Sequence, residues 1–218
     1  MKVDDKERIR NLIWNTLENN NLSKPPKPPY GRIPNFLGST EAAKLLKNTK
    51  EWENSRVIFS SPDSAQKKVR ELALRDGKLL IMASPKLKEG YLLIDPHRVK
   101  GKEKLAATIN GAFNFGRRIN EFPKVDLVIE GSVAVDLSGN RLGKGGGYGD
   151  MEISHLFEEK AVKTSTPIVT TVHELQIIDE VPVEIHDQKI NMIVTPERVI
   201  RVNKHELDKY LNDMEVIH

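Results

Sequence analysis

Between Asp136 and Asp150 the chain reads DLSGNRLGKGGGYGD. Gly139, Gly143, Gly145, Gly146, Gly147 and Gly149 all fall in that stretch. A packed core has little use for so many residues without side chains. Glycine admits positive φ and leaves its amide uncovered, which suits a backbone that must come close to a ligand. Successive exposed amides form an anion-binding nest, and phosphate is the usual anion. Arg141 and Lys144 add two cations inside the loop. Asp136 and Asp150 bracket it with carboxylates of the kind that hold Mg²⁺ beside substrate phosphates. An apolar run, Val125 to Val135, precedes the loop, and a helix is predicted over Met151 to Val162. Strand, glycine loop and helix in that order set a phosphate at a helix N-terminus. Spacing alone leaves a plain hairpin or flexible connection as the alternative.

Two standard nucleotide motifs are excluded. GNRLGKG has three residues between its glycines where a Walker loop needs four, and Gly145 stands where Ser or Thr should follow the lysine. A dinucleotide GxGxxG loop is excluded because the strand does not run directly into the glycines. HELQI, beginning at His173, has Ile177 where a zinc-protease helix needs its second histidine. His186-Asp187 reads as a structural or surface pair, and no GxSxG elbow is present to support Ser-His-Asp chemistry.

Composition narrows the class. The 218 residues are enough for one large domain or two small ones. A single α/β domain is expected over 1–218, with an extended Pro-rich segment at 21–38. Hydrophobic content of 38% with 30% charged residues fits a globular protein. The net charge of +3 suits anionic small molecules and makes a weak case for nucleic acid. The chain has no cysteine, so disulfides, thiolate zinc sites and cysteine nucleophiles are excluded. No apolar run approaches the roughly 18 residues of a membrane helix. The start, MKVDDKERIRN, lacks the apolar segment of a signal peptide, so a cytoplasmic location is expected.

The elements that must position the loop alternate. Asp4 to Asn20 is predicted helical, with Ile9, Leu12, Ile13 and Leu17 at helical spacing and Lys6 and Arg10 four apart on one face. Asn21 to Phe36 carries Pro25, Pro26, Pro28, Pro29 and Pro34, and is expected to run extended along the surface, packing Tyr30, Ile33 and Phe36. Ser39 or Thr40 is expected to cap a helix bearing Ala42, Ala43, Leu45 and Leu46. Arg56 to Ser60 reads as a strand. Ser61 and Pro62 read as N-cap and first residue of a helix burying Ala65, Val69, Leu72 and Ala73. Lys78 to Ala83 follows as a strand. After a loop with one short strand over Ser84 to Lys100, Lys102 to Asn114 reads as a helix weakened by Gly111. Val125 to Ile129, Pro167 to Val172, Ile190 to Val194 and Val199 to Val202 read as strands, and Lys204 to Met214 as a closing helix. Continuous apolar strands alternating with helices predict a mainly parallel sheet flanked by helices. Ligands bind such sheets beyond the strand C-termini, where the glycine loop falls.

The segment Asp136 to Asp150 resembles the signature of the 5-formyltetrahydrofolate cyclo-ligases, also called methenyltetrahydrofolate synthetases. Lys6-Glu-Arg-Ile-Arg10 is similar to that family's N-terminal Lys-x-x-Leu-Arg. Pro182 to Asp187, through Thr195-Pro196, is similar to the segment after its late Gln, here Gln176. Tyr30 to Phe36, with Ser84 to Lys88, is more similar to a divergent branch, the methenyltetrahydrofolate synthetase domain-containing proteins and archaeal relatives.

The resemblance implies a NagB/ribose-5-phosphate isomerase/CoA-transferase-like fold and Mg-ATP. It implies that Lys6 and Arg10 reach the nucleotide phosphates, and that Arg141, Gly143, Lys144, Gly145, Gly146, Gly147, Tyr148 and Gly149 wrap them. Arg141, Lys144 and Tyr148 are the implied catalytic residues, and Asp150 and Asp187 the implied Mg²⁺ ligands. The implied reaction converts 5-formyltetrahydrofolate to 5,10-methenyltetrahydrofolate through a phosphorylated formyl group. Positioning and charge neutralisation suffice for such phosphoryl transfer. Two departures stand out. The family commonly has Tyr-Tyr-Asp-Arg where this chain has Tyr148-Gly149-Asp150-Met151, and its pterin-binding Glu falls on Asp63. The nucleotide half therefore matches better than the folate half. Another formylated or carboxylated acceptor is one rival reading, and a non-catalytic nucleotide-binding module is another. The related eukaryotic proteins carry an RNA-recognition domain, but no RNP-type aromatic motif occurs here. The expected partners are folate and ATP, in a monomer or homodimer.

Overall fold

The computed structural model describes residues 2–202, with side chains from residue 5 onward. The closing helix expected over 204–214 lies outside the described residues. Helix α1 (Lys2–Asn19) buries Ile13, Trp14 and Leu17. Lys6 and Arg10 continue that stripe at helical spacing, and Lys6 is 9% exposed. The two cations are thus an extension of the core-facing side, whereas Arg8 points outward, with its side chain 78% exposed.

Strands β1 (Ser23–Lys24) and β2 (Asn35–Phe36) pair antiparallel and close the Pro-rich segment into a loop. Between these strands the chain bends and turns, where an extended run was expected. Phe36 is fully buried, Ile33 is buried, and Tyr30 stays exposed while donating to Asn15 Oδ1 at 2.8 Å. Trp14 Nε1 donates to the carbonyl of Arg32 at 3.0 Å, fixing the loop against α1.

Strands β3 (Val57–Ser60), β4 (Leu79–Ala83), β5 (Tyr91–Ile94), β6 (Arg117–Ile119) and β7 (Leu127–Glu130) come next in the chain. A small ribbon of β8 (Ala134–Val135) and β9 (Arg141–Leu142) follows, then β10 (Ile168–Thr171), β11 (Met192–Val194) and β12 (Val199–Arg201). Eight of these form one sheet in the order β12-β11-β10-β7-β3-β4-β5-β6. The middle, from β11 to β4, is parallel, and β5, β6 and β12 add antiparallel edges. The apolar runs are continuous because the sheet is covered on both faces. Ile58, Leu80 and Leu127 face one core with Ala42, Leu46 and Val69. Phe59, Ile81 and Val128 face the other with Ile153 and Leu156. Helices α2 (Ser39–Lys47) and α4 (Lys67–Arg75) join α1 in covering the first face, and α7 (Tyr148–Glu158) covers the second.

Several boundaries differ from the sequence reading. Gly38, at φ 93°, caps α2 without a side-chain bond, because a Cβ there would lie 2.4 Å from Pro196 Cγ. A short helix, α3 (Lys50–Glu53), follows α2, with Thr49 as its cap. Ser61 and Pro62 do not start a helix. They lie in a loop ahead of a 3₁₀ turn at Ser64–Gln66, and α4 begins only at Lys67. The helix expected over 102–114 is two, α5 (Glu103–Ala106) and α6 (Ile109–Phe115). Thr108 caps the second through Gly111 N at 2.9 Å, and a Cβ on Gly111 would meet the Leu105 carbonyl at 1.9 Å. That glycine is a contact point between the two helices, not a fraying end. The antiparallel strand β6 was not expected. Helix α7 begins at Tyr148, three residues before the expected start.

Candidate active site

The glycine-rich stretch is two structures in series. Asp136 to Asn140 is the turn of the β8-β9 ribbon. Asp136 is 2% exposed and accepts from Ser138 N, Asn140 N, Asn140 Nδ2 and Val181 N at 2.8–3.0 Å. Its carboxylate is consumed by the turn, so the expectation that Asp136 helps hold Mg²⁺ is overturned. Gly139, at φ 83°, lies where a Cβ would meet the Ile190 carbonyl at 2.3 Å. The second structure, Gly143 to Gly147, leads into α7. Gly145 and Gly147 take positive φ, and Gly147 caps the helix in the left-handed region. Gly146 leaves room for the Tyr148 ring, which a Cβ would approach to 2.6 Å.

Cations converge on this loop from distant parts of the chain. Arg10 Nε donates to the carbonyl of Gly143 at 2.8 Å. Lys6 Nζ donates to Asp187 Oδ2 at 2.7 Å and Glu184 Oε2 at 3.1 Å. Burial works against the Lys6 ammonium, but these two carboxylates outweigh it and raise its affinity for the proton. Glu184, His186 and Asp187 each place a donor atom within 4.8 Å of the others. His186, read from the sequence as a structural or surface pair with Asp187, lies 3.8 Å from it and 3.4 Å from Glu184, with its side chain 67% exposed. Arg141 is buried. It donates to Asp150 Oδ1 at 2.6 Å and to the carbonyl of Gly131 at 3.2 Å. Gln188 N also donates to Asp150 Oδ1, at 3.0 Å, so Asp150 ties α7 to the segment carrying Asp187. Lys6, Arg10, Gly143, Gly145, Asp150 and Asp187 border one cleft of about 210 Å³.

A second, narrower cavity lies on the other side of Arg141, at the C-terminal ends of β3 and β7. Lys144 Nζ reaches across its mouth to Asp63 Oδ1 at 3.0 Å. Asp63 is positioned by Arg70, a fully buried guanidinium. Arg70 donates to the carbonyls of Ser61 (2.6 Å), Asp63 (3.0 Å), Pro62 (3.3 Å) and Ala107 (2.9 Å). Burial pulls the Arg70 guanidinium down to about 10, still charged at neutral pH. The wall is made by Glu130, 1% exposed at the end of β7, and Glu152, 3% exposed in α7. Burial first, and then each other's negative charge, pushes the Glu130 carboxyl well above its usual range. Burial and the Asp63 charge push Glu152 up to about 8. Tyr148, Gly149 and Lys86 complete the lining.

A wider surface cleft, about 560 Å³, lies elsewhere, beside Lys50, Lys124 and Thr166 at the starts of β7 and β10. It holds no glycine loop and sits at the wrong end of a parallel sheet for a ligand site.

Comparison with known proteins bears on this arrangement directly. The family model described as the 5-formyltetrahydrofolate cyclo-ligase family matches residues 2–196. The chain belongs to the 5-formyltetrahydrofolate cyclo-ligase family. A bovine methenyltetrahydrofolate synthase domain-containing protein is 38% identical over 202 residues, covering 89% of this chain and 53% of that one. The chain spans about half the length of the curated relatives it matches most strongly. Among solved structures, the Aquifex aeolicus 5,10-methenyltetrahydrofolate synthetase is 21% identical, with a TM-score of 0.58 over 91% of this chain and 93% of that one. The Mycoplasma pneumoniae 5,10-methenyltetrahydrofolate synthetase is 15% identical, with a TM-score of 0.51 over 87% and 98%. These two likenesses show a shared fold.

Within this cyclo-ligase family member, Lys6, Arg10, Asp63, Arg141, Asp187 and the stretch from Gly143 to Asp150 border one or other of the two cavities, whereas Asp136 and Gly139 belong to the ribbon turn. Lys144 stands apart from the other loop cations, since it is tied to Asp63 and borders the narrower cavity. Sequence reasoning missed Glu130, Glu152, Ser61, Glu184 and Arg70. Glu130 had left a signal, as the one acidic residue ending the apolar run VDLVI. Among the described residues no helix is long and apolar enough to cross a membrane.

Proposed function

We propose that the protein uses Mg-ATP to convert 5-formyltetrahydrofolate to 5,10-methenyltetrahydrofolate. The formyl oxygen takes the γ-phosphoryl group, N10 attacks the formyl carbon, and phosphate departs as the ring closes. The observation that carries this reading is the placing of Arg10, Lys6 and Arg141 around one cleft with the backbone of Gly143, Gly145 and Gly147 ahead of α7. Amides at a helix N-terminus favour phosphate oxygens, and the three cations neutralise a triphosphate.

The residues fit the nucleotide. Arg141 Nε is buried with no hydrogen-bond partner among the described residues, leaving a donor for a ligand oxygen. They fit the metal as well. Asp150 and Asp187 border the same cleft, and one or two carboxylates plus substrate phosphates are the usual Mg²⁺ shell. Mg²⁺ held by Asp150 and Asp187 would neutralise charge on the transferring phosphoryl group. Arg10 and Lys6 orient the phosphate tail, Arg141 stabilises charge at the transferred group, and Tyr148 at the first position of α7 lines the approach to the acceptor. Lys144 and Asp63 border the narrower cavity, with Asp63 on the pterin side. A location in the cytoplasm agrees with these soluble substrates.

The test is a spectrophotometric assay with 5-formyltetrahydrofolate, Mg²⁺ and ATP, following the methenyl chromophore. An ATP-dependent rise is expected. A flat trace from protein that binds ATP would overturn the reading and leave a nucleotide site serving another acceptor.

A further inference from the structure

The cleft of about 560 Å³ at the starts of β7 and β10 lies at the wrong end of the sheet for a substrate, but the chain itself leads to it. Strand β12 runs antiparallel to β11, so it carries the chain back from the glycine-loop end to this one. Val202 N donates to the carbonyl of Asn191 at 3.0 Å, and Asn191 Nδ2 donates to the carbonyl of Thr166, which lines the cleft, at 3.4 Å. Arg201 holds Glu51, another lining residue, through two bonds of 2.8 and 2.9 Å. Residue 202, the last one described, therefore lies beside the cleft. Lys50 borders it from α3, and Lys124 and Lys163 border it from the segments ahead of β7 and β10. All three lysines are exposed, and none forms an ion pair among the described residues. The carboxylates beside them are engaged. Glu51 is taken by Arg201, and Asp126 accepts from the amides of Arg56 and Val57 at 2.8 and 2.9 Å. Val125, Ala161 and Pro167 add apolar surface.

The sequence that follows residue 202 has the complementary chemistry. Leu207, Tyr210, Leu211 and Met214 recur at i, i+3, i+4 and i+7, which sets them on one face of the helix expected over 204–214. Helical spacing places Glu206 and Asp213 along one border of that face and Asp208 and Glu215 along the other. Against these four carboxylates the segment has two lysines, Lys204 and Lys209. We propose that residues 203–218 dock in this cleft as an amphipathic helix. The apolar stripe turns to Val125, Ala161 and Pro167, and the acidic borders meet Lys50, Lys124 and Lys163. Apolar surface alone would accept many helices, whereas lysines from α3 and from the β7 and β10 approaches select one with acid on both borders. The length agrees. Eleven helical residues extend about 16 Å, and the strand starts from β10 through β7 to β3 span about 10 Å. Docking here covers the end of the sheet opposite the glycine loop and leaves both cavities of the candidate active site open.

The experiment is hydrogen exchange of the full chain at low ionic strength, read by mass spectrometry on the peptides covering 203–218. Their amides should exchange at least about tenfold more slowly than those of an unstructured chain. Lys50→Glu/Lys124→Glu/Lys163→Glu turns attraction into repulsion at three exposed positions, and should speed that exchange at least about fivefold. The peptides of β3 and β7 should keep their protection in this variant, because the three side chains lie outside the core. Adding Glu206→Lys, Asp208→Lys, Asp213→Lys and Glu215→Lys to the triple variant swaps the charges across the cleft and should restore at least half of the lost protection. That rescue distinguishes docking in the cleft from a helix that is stable by itself or packed elsewhere. Protection should not change when the natural protein is diluted about a hundredfold, since the segment and the cleft belong to one chain. Unprotected amides in the natural protein overturn the proposal. So does protection that the triple variant leaves intact, or a loss that the charge swap does not recover. Protection that fades on dilution also overturns it, and assigns the cleft to the segment of a second copy.

Discussion

Replacing Arg70 by Met should cost a large share of the fold's stability and loosen the acceptor side at once. The guanidinium is fully buried and holds four carbonyls, three of them consecutive at Ser61, Pro62 and Asp63. Hydrogen bonds to a charged group contribute roughly 1.5–3 kcal/mol each, and the bond to Pro62, at 3.3 Å, is the weakest. A plain sum overstates the loss, because removing a buried charge also removes its desolvation penalty. The net expectation is about 3–5 kcal/mol, from leaving buried carbonyls without their donor at about 1–3 kcal/mol each, partly offset by the desolvation no longer incurred. Against a total of roughly 5–15 kcal/mol this is a heavy perturbation. Urea unfolding followed by circular dichroism should show a lower midpoint with an unchanged slope. Arg70→Lys should recover only part, since one ammonium cannot span carbonyls on two segments. In the methenyl assay Arg70→Met should raise KM for the folate more than KM for ATP, because Asp63 loses its anchor while the glycine loop keeps its own. A stability change under about 1 kcal/mol would refute the reasoning, and so would equal effects on the two KM values.

Other consequences follow from the same geometry. Glu130 and Glu152 keep protons in the folded state at a pH where unfolded carboxyls, titrating near ~4.3, have released them. Stability should therefore fall as pH rises from about 4 towards about 8, and Glu130→Gln/Glu152→Gln should flatten that slope; identical urea profiles at pH 5.5 and 8 would contradict this. Arg141→Ala should weaken ATP binding in calorimetry more than Lys144→Ala, since Arg141 is buried between both cavities while the Lys144 side chain is 35% exposed and tied to Asp63; equal losses would be contrary evidence. Asp136→Ala should lower stability by about 3 kcal/mol through the orphaned donors of the turn and Val181. With Asp136 confined to the turn, its loss should leave the Mg²⁺ dependence of turnover unchanged among folded molecules, and a shifted Mg²⁺ requirement would restore it as a ligand.

Much of the architecture was legible because local rules coincide with the global fold. The runs Val57–Phe59, Leu79–Ala83 and Leu127–Ile129 are continuously apolar, as suits strands covered on both faces. Boundaries were less legible where long-range contact decides them. Gly38 is set by Pro196, and Gly111 by the Leu105 carbonyl. The glycine loop announced itself through residue type, and Lys6 and Arg10 through resemblance. What the sequence could not show was division of labour. Asp136 and Asp150 look alike as flanking carboxylates, yet one closes a turn and the other pairs with Arg141. Glu130 and Glu152 are 22 positions apart in sequence and meet only because β7 and α7 pack together. Pairing across that distance leaves no local pattern to read.

The central claim is that the formyl oxygen, held beside the glycine loop, takes the phosphoryl group of ATP. It is tested most directly with 5-formyltetrahydrofolate carrying ¹⁸O in its formyl group, incubated with Mg-ATP and the full chain, followed by mass analysis of the released phosphate. The account predicts one ¹⁸O atom in the inorganic phosphate for each methenyl product formed. Label found in water, with unlabelled phosphate, would contradict it.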